Sequence, residues 1–145
     1  MSEERHRVVL DPAYAAALGQ ALYCFALCEW NAVYCIQKRQ PSYVTDAFRP
    51  TQSTMAGTVA AKLLSISKTL LDASEKLEWE RAAQLFVDLV KTERNHLMHA
   101  KPGTNSDGEQ RLFYFEHEWT IERVQEVADK FANCGMTLND LFHRS

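Results

Sequence analysis

No apolar run in this 145-residue chain approaches the roughly 20 residues that a helix needs to span a bilayer, so no membrane role is expected. The first residues, Met-Ser-Glu-Glu-Arg-His-Arg, lack a signal peptide's apolar stretch, and a cytoplasmic location is the expectation. The five glycines are scattered, so no Gly-rich loop is set to cradle a phosphate. Cysteine is sparse. Cys24, Cys28 and Cys35 fall along one line of a predicted helix, Cys134 lies far off, and no second pair completes a zinc-ribbon or finger spacing. Reduced thiols acting as small hydrophobes are therefore expected. Positive charge is also scarce. A net charge of −3 and a pI near 5.9 argue against a protein that coats nucleic acid through diffuse positive charge. Any contact with phosphate must be local.

What is present suits a globular protein of one domain: 46% hydrophobic and 24% charged residues, at a length that buries a core without staples. Asp11-Pro12 reads as an N-cap followed by proline at the first helical position. A long helix is expected from there to about Gln40, ended by Pro41. Leu18, Leu22, Phe25, Ala32, Val33 and Ile36 form one apolar face of it. Tyr23, Leu27, Trp30 and Tyr34 form a second stripe, which either another segment or another subunit must cover. Glu29 falls within the first face. It is either an edge carboxylate or a buried partner for Arg94 or a histidine, because an unpaired buried charge is costly.

Residues 41–53 read as a polar connection. A second helix is expected over Thr54–Asp72, with Val59, Leu63, Ile66 and Leu70 at helical spacing. Asp72-Ala73-Ser74 caps a third over Glu75–Ala100, with Trp79, Ala82, Phe86, Leu89, Val90 and Leu97 inward and Pro102-Gly103 as its stop. Thr104–Gln110 is a turn-rich loop, and Arg111–Trp119 has strand-like aromatic content. One such segment cannot make a sheet alone, so an extended cover or half a short hairpin is expected. Thr120 caps a last helix to about Phe142, where Gly135 is a candidate kink. The fold class is thus all-α, a bundle of four long helices with a short extended aromatic segment before the last.

The chemistry concentrates in Glu93-Arg94-Asn95-His96-Leu97-Met98-His99-Ala100-Lys101. Lys91, Arg94, His96, His99 and Lys101 gather within eleven positions against one acid, Glu93. Arginine grips phosphate bidentately, histidine exchanges protons near neutral pH, and Asn95 can orient either group. Asn95 and His99 share a helix face, whereas Arg94 and His99 lie about 140° apart on an ideal wheel. Two copies facing across a two-fold axis would let both sets line one cleft. The plainer reading is a basic last turn complementing the helix dipole.

Arg94-Asn95-His96-Leu97-Met98-His99 resembles the Arg-polar-x-x-x-His signature of HEPN domains, and its place late in the third helix, before a loop and a final helix, matches theirs. The resemblance implies an up-and-down bundle and a metal-independent endoribonuclease acting as a homodimer on RNA, with no cofactor. Arg94 would hold the scissile phosphate and His99 would transfer protons, with Asn95 at the family's polar position. Glu29, His96 and Lys101 stand as supporting candidates, although His96 falls at a variable position of the signature. Many HEPN domains are toxins or defence effectors, so an antitoxin is an implied partner, and some have lost activity.

Two further readings compete. A non-catalytic dimeric module, binding a nucleotide or a partner protein, accords with the small amount of basic surface beyond the motif. A metal site would draw on His96 and His99 together with Glu93, or with Glu116, His117 and Glu118 of the extended segment, but the His-Glu-x-x-His pattern is missing.

Overall fold

The computed structural model describes residues 10–44 and 55–144. Among the described residues four substantial helices predominate, with a small antiparallel sheet before the last. Helix α1 spans Pro12–Arg39, α2 Ala56–Ser67 and α3 Ala73–Leu89. A π-helical turn, Val90–Arg94, then leads into the four-residue α4, Asn95–Met98. Strands β1 (Lys101–Thr104), β2 (Gln110–Tyr114) and β3 (His117–Trp119) come next, and α5 spans Ile121–Arg144. The expected polar connection and the start of the second helix fall largely on residues 45–54, outside the described residues.

The expected caps are present. The Asp11 side chain accepts from the Ala13 N–H at 3.0 Å with Pro12 in the first turn, and Asp72 accepts from Glu75 at 2.8 Å. Thr120 Oγ1 accepts from the Arg123 N–H at 3.1 Å. Each satisfies one of the donors that a helix start leaves without an intrahelical partner.

The face of α1 that meets the core keeps Phe25, Ala32, Val33 and Ile36 of the expected one and differs at its N-terminal half. Tyr14, Ala17, Ala21, Phe25, Cys28, Ala32 and Cys35 are buried beside Val33 and Ile36, while Leu22 is 54% exposed and Leu18 only half-buried. The reason is close packing. Small side chains let α5 approach, and Gly135 lies where an added Cβ would come within 3.4 Å of the Cys28 Cα. Gly135 is therefore a contact point rather than a kink; α5 runs through it unbroken, and its carbonyl accepts from Asn31 Nδ2 at 3.2 Å. Phe25 meets Phe131 edge-on at 5.1 Å across the same seam. Cys28, Cys35 and Cys134 are buried and unbridged, and Cys24 is half-buried. Burial pushes the Cys35 thiol up to about 12, which keeps it a neutral small hydrophobe.

Helix α2 ends at Ser67, short of the expected Asp72, because Ser67 and Thr69 turn their hydroxyls onto the carbonyls of Leu63 and Ile66. The described residues are mostly helical, as expected, with one small sheet in addition. Lys101–Thr104, expected as helix stop and loop, pairs with β2, and β2 pairs with β3, in the order β1-β2-β3. Pro102 is tolerated because β1 is an edge strand. Gly103 sits tightly against its neighbour, since a Cβ would stand 3.0 Å from the Phe113 ring and the ring would have to shift. The extended segment does not cover the second α1 stripe: Tyr23 stays 67% and Leu27 49% exposed.

One buried tyrosine fastens the sheet to α1. The Tyr14 hydroxyl donates to the Trp119 carbonyl at 2.7 Å and accepts from the Leu112 N–H at 3.0 Å. Arg111, only 6% exposed, lies over the Tyr14 ring at 4.5 Å and pairs with Glu109 at 3.0 Å, with Asp11 and Glu118 each at 3.9 Å. No helix of the described residues is long and apolar enough to cross a membrane.

Tyr14→Phe keeps the ring and removes both hydrogen bonds, orphaning two backbone groups. It should lower unfolding stability by about 2–4 kcal/mol in urea denaturation. A loss under about 0.5 kcal/mol would show that water satisfies those groups instead.

Candidate active site

The regular winding of α3 stops at Leu89. Over Val90–Arg94 the helix widens into a π turn, a device that adds a residue to one turn and recurs at functional positions. Arg94 closes that turn and Asn95 opens α4. His99, the C-cap at φ −95° and ψ 3°, donates its N–H to the Asn95 carbonyl at 3.0 Å and is exposed. The helix therefore ends at Met98, before Ala100, and Lys101 begins β1 as an exposed cation.

Arg94 is half-buried. Its Nη1 donates to Asn95 Oδ1 at 3.0 Å, and the guanidinium lies 5.6 Å from the Phe25 ring centroid. Its Nε is buried without a hydrogen-bond partner among the described residues. The side chain forms part of the wall of a mostly apolar groove of about 330 Å³, between Leu18, Leu22 and Phe25 on α1 and Leu97, Met98 and Leu112 opposite. A cation against apolar walls is poorly screened and attracts an anion more strongly than one in open solvent.

Glu29 is the other charged group in this neighbourhood. Burial raises its carboxyl above the usual 4.5, while the attraction of Arg94 pulls it down less strongly. Burial is also the larger cause raising the Tyr43 phenol, with the Glu29 carboxylate adding to it. Glu29 is thus half-buried and coupled to Arg94 through space, whereas the Arg94 hydrogen bond goes to Asn95.

Glu93 turns away toward α5. It pairs with Arg123 at 3.1 Å and Lys130 at 3.6 Å, anchoring the π turn to the last helix. His96 also leaves the Arg94 groove. Its ring stacks on Tyr114 at 4.0 Å and 11°, on one wall of a separate cleft of about 480 Å³. The signature gives His96 no role, and no motif marks Tyr114, Trp119 or Arg123. The one sign of Tyr114 and Trp119 in the sequence is the aromatic content of residues 112–119.

Within one chain, then, Asn95 is brought onto Arg94, and Glu29 into its field. His99 is in neither groove lining, in keeping with the angular separation of positions 94 and 99. Among the described residues no three His, Cys, Asp or Glu side chains converge on a point that could hold a metal ion.

A carboxyl with a raised folded-state pKa contributes stability that is fully present below about pH 4.5 and is lost as pH rises through the folded value. At neutral pH the charged form of Glu29 is the costly one. Glu29→Gln should therefore raise stability at pH 7 by at most about 1 kcal/mol, given partial solvent screening, and the gain should vanish near pH 4. Paired urea denaturations at the two pH values test this; a loss at pH 7 would mean that the attraction of Arg94 dominates. No protein-family model, curated protein or solved structure matches the chain.

Proposed function

We propose that the protein is a metal-independent endoribonuclease of the HEPN type, a toxin or defence effector, acting as a homodimer whose two motifs meet at one cleft. The carrying observation is the helix irregularity at the motif: a π turn ends on Arg94, and the helix itself ends beside His99. A merely decorative basic terminus has no need of the extra residue. This reading brings with it the family's up-and-down arrangement of the helices.

The roles follow from the positions. Arg94, with Asn95 bonded to it, supplies a fixed cation for the charged phosphorane. His99 is exposed and does not line the groove of its own Arg94, so it acts across the dimer, one imidazole as base on the 2′-hydroxyl and the other as acid on the leaving 5′-oxygen. The 2′-oxygen–phosphorus bond forms as the phosphorus–5′-oxygen bond breaks, leaving a 2′,3′-cyclic phosphate and a 5′-hydroxyl. The half-buried Glu29 moderates the charge around Arg94, and Lys101 adds an exposed cation beyond His99. The exposed Tyr23, Leu27 and Tyr34, with Leu22 and Met136 nearby in the chain's apolar surface, supply a face for the second copy.

A second reading, a binding module without catalysis, draws support from the placement of Arg94 in a groove that His99 does not line.

Incubation with mixed RNA separates the two. Cleavage should survive EDTA, yield cyclic phosphate ends, and stop when the cleaved nucleotide is 2′-deoxy. His99→Ala and Arg94→Ala should each reduce the rate by at least about 100-fold while the protein stays dimeric in light scattering. Wild-type cleavage by His99→Ala would remove the catalytic assignment. A monomer at micromolar concentration would remove the shared cleft.

A further inference from the structure

The cleft beside His96 is the larger of the two and belongs to none of the roles above. One wall is the stacked pair His96 and Tyr114, with ring centroids 4.0 Å apart. The other is Arg123, whose guanidinium lies 4.8 Å from the ring of Trp119. Between them the β2–β3 hairpin contributes Glu116, His117 and Glu118. The volume, about 480 Å³, lies in the range of small-ligand sites.

The hairpin turn carries an independent sign of function. Phe115 adopts φ 56°, a left-handed conformation that suits glycine or asparagine and is strained for a bulky aromatic residue. Its ring is 83% exposed and meets Tyr114 edge-on at 4.7 Å. Neither core packing nor turn geometry calls for phenylalanine there. An exposed ring standing edge-on beside a stacked pair adds aromatic surface of the kind on which unpaired bases stack.

The charges determine what the cleft favours. Arg123 is engaged by Glu93 at 3.1 Å. Glu118 accepts from Asn105 at 3.2 Å and lies 3.9 Å from Arg111. Glu116 lines the cleft and is exposed. With Arg123 paired to Glu93 and Glu118 turned to Arg111 and Asn105, Glu116 is the carboxylate presented to the cleft, which favours a ligand that donates hydrogen bonds. Cytosine and adenine present an exocyclic amine to a carboxylate, whereas uracil presents one N–H flanked by two carbonyls that a carboxylate repels.

We propose that this cleft is a base-binding subsite of the RNA strand, stacking an unpaired base on the outer face of the Tyr114–His96 pair and selecting amine-bearing bases over uracil through Glu116. The identity of the polymer rests on the ribonuclease reading; the preference among bases rests on the cleft alone. His96 is two residues from Arg94 and three from His99, so the same short helix end would hold a base on one side and the phosphate on the other.

The test uses binding rather than cutting. Fluorescence anisotropy on the full-length His99→Ala protein is measured with labelled hexamers of A, of C and of U. The A and C hexamers should bind at least about 5-fold tighter than U. Glu116→Gln in the same background, at an exposed hairpin position, should bring the difference below about 2-fold, since an amide both donates and accepts. Tyr114→Ala should weaken all three by about 10-fold, and circular dichroism establishes that it is folded. Equal binding of the three hexamers, or a preference that Glu116→Gln leaves intact, overturns the subsite even if the wild type cuts RNA. Discriminating binding by a protein whose wild type cuts nothing supports the subsite and removes the nuclease.

Discussion

Where α1 and α5 touch, backbone nearly meets backbone: Gly135 stands against the Cys28 Cα, with Ala17, Ala21, Ala32 and Ala128 buried among the small residues of the two helices. Helices this close gain dispersion contacts that larger side chains would hold apart. The position of the candidate site depends on that approach. Phe25 is placed by Phe131 across the seam, and Arg94 rests against Phe25. Glu93 reaches α5 through Arg123 and Lys130. The motif is thereby held between two helices that sit at opposite ends of the chain and were brought together mainly by alanine, cysteine and glycine.

The sheet depends on a different kind of constraint. Arg111 is a buried cation, and such a charge is tolerated only when paired and hydrogen-bonded. Asp11, Glu109, Glu118 and the Tyr14 ring surround it. Asp11 and Tyr14 come from the first turns of α1, so the same turns that start the chain's longest helix also seat the strands. The aromatic cleft is then walled by α4, the hairpin and the start of α5, none of which would enclose a volume alone.

Much of this is legible in the residues, for reasons that can be named. Caps at Asp11, Asp72 and Thr120 are local chemistry and lie where Asp-Pro, Asp-Ala-Ser and Thr precede apolar periodicity. Periodicity finds Phe25, Ala32, Val33 and Ile36 of the α1 core face but misplaces Leu18 and Leu22, because it weights large residues. Leu22 stands out in a hydrophobic pattern, while Ala17, Ala21 and Cys28 carry the packing. The sheet is half visible. Arg111–Trp119 looks like a strand, but its partner β1 contains Pro102 and Gly103, which local rules assign to a helix stop. The Arg94–Asn95 contact is within reach of adjacency. The stacking of His96 on Tyr114 is not, because it joins residues 18 apart whose meeting depends on the hairpin. No local rule announces the π turn either, since Val90-Lys91-Thr92-Glu93-Arg94 is an ordinary helical stretch to propensity.

That turn has a consequence for how the protein tolerates change. In a helix of uniform winding, the direction of every side chain is tied to that of every other, so repacking the core at Trp79 or Phe86 would swing the far end as well. The wider turn acts as a phase joint. Trp79, Ala83 and Phe86 set the azimuth of α3 against the core, while Glu93, gripped by α5, sets the azimuth of α4. Stability and aim are thereby assigned to different residues of one helical rod. Drift in the first need not disturb the second.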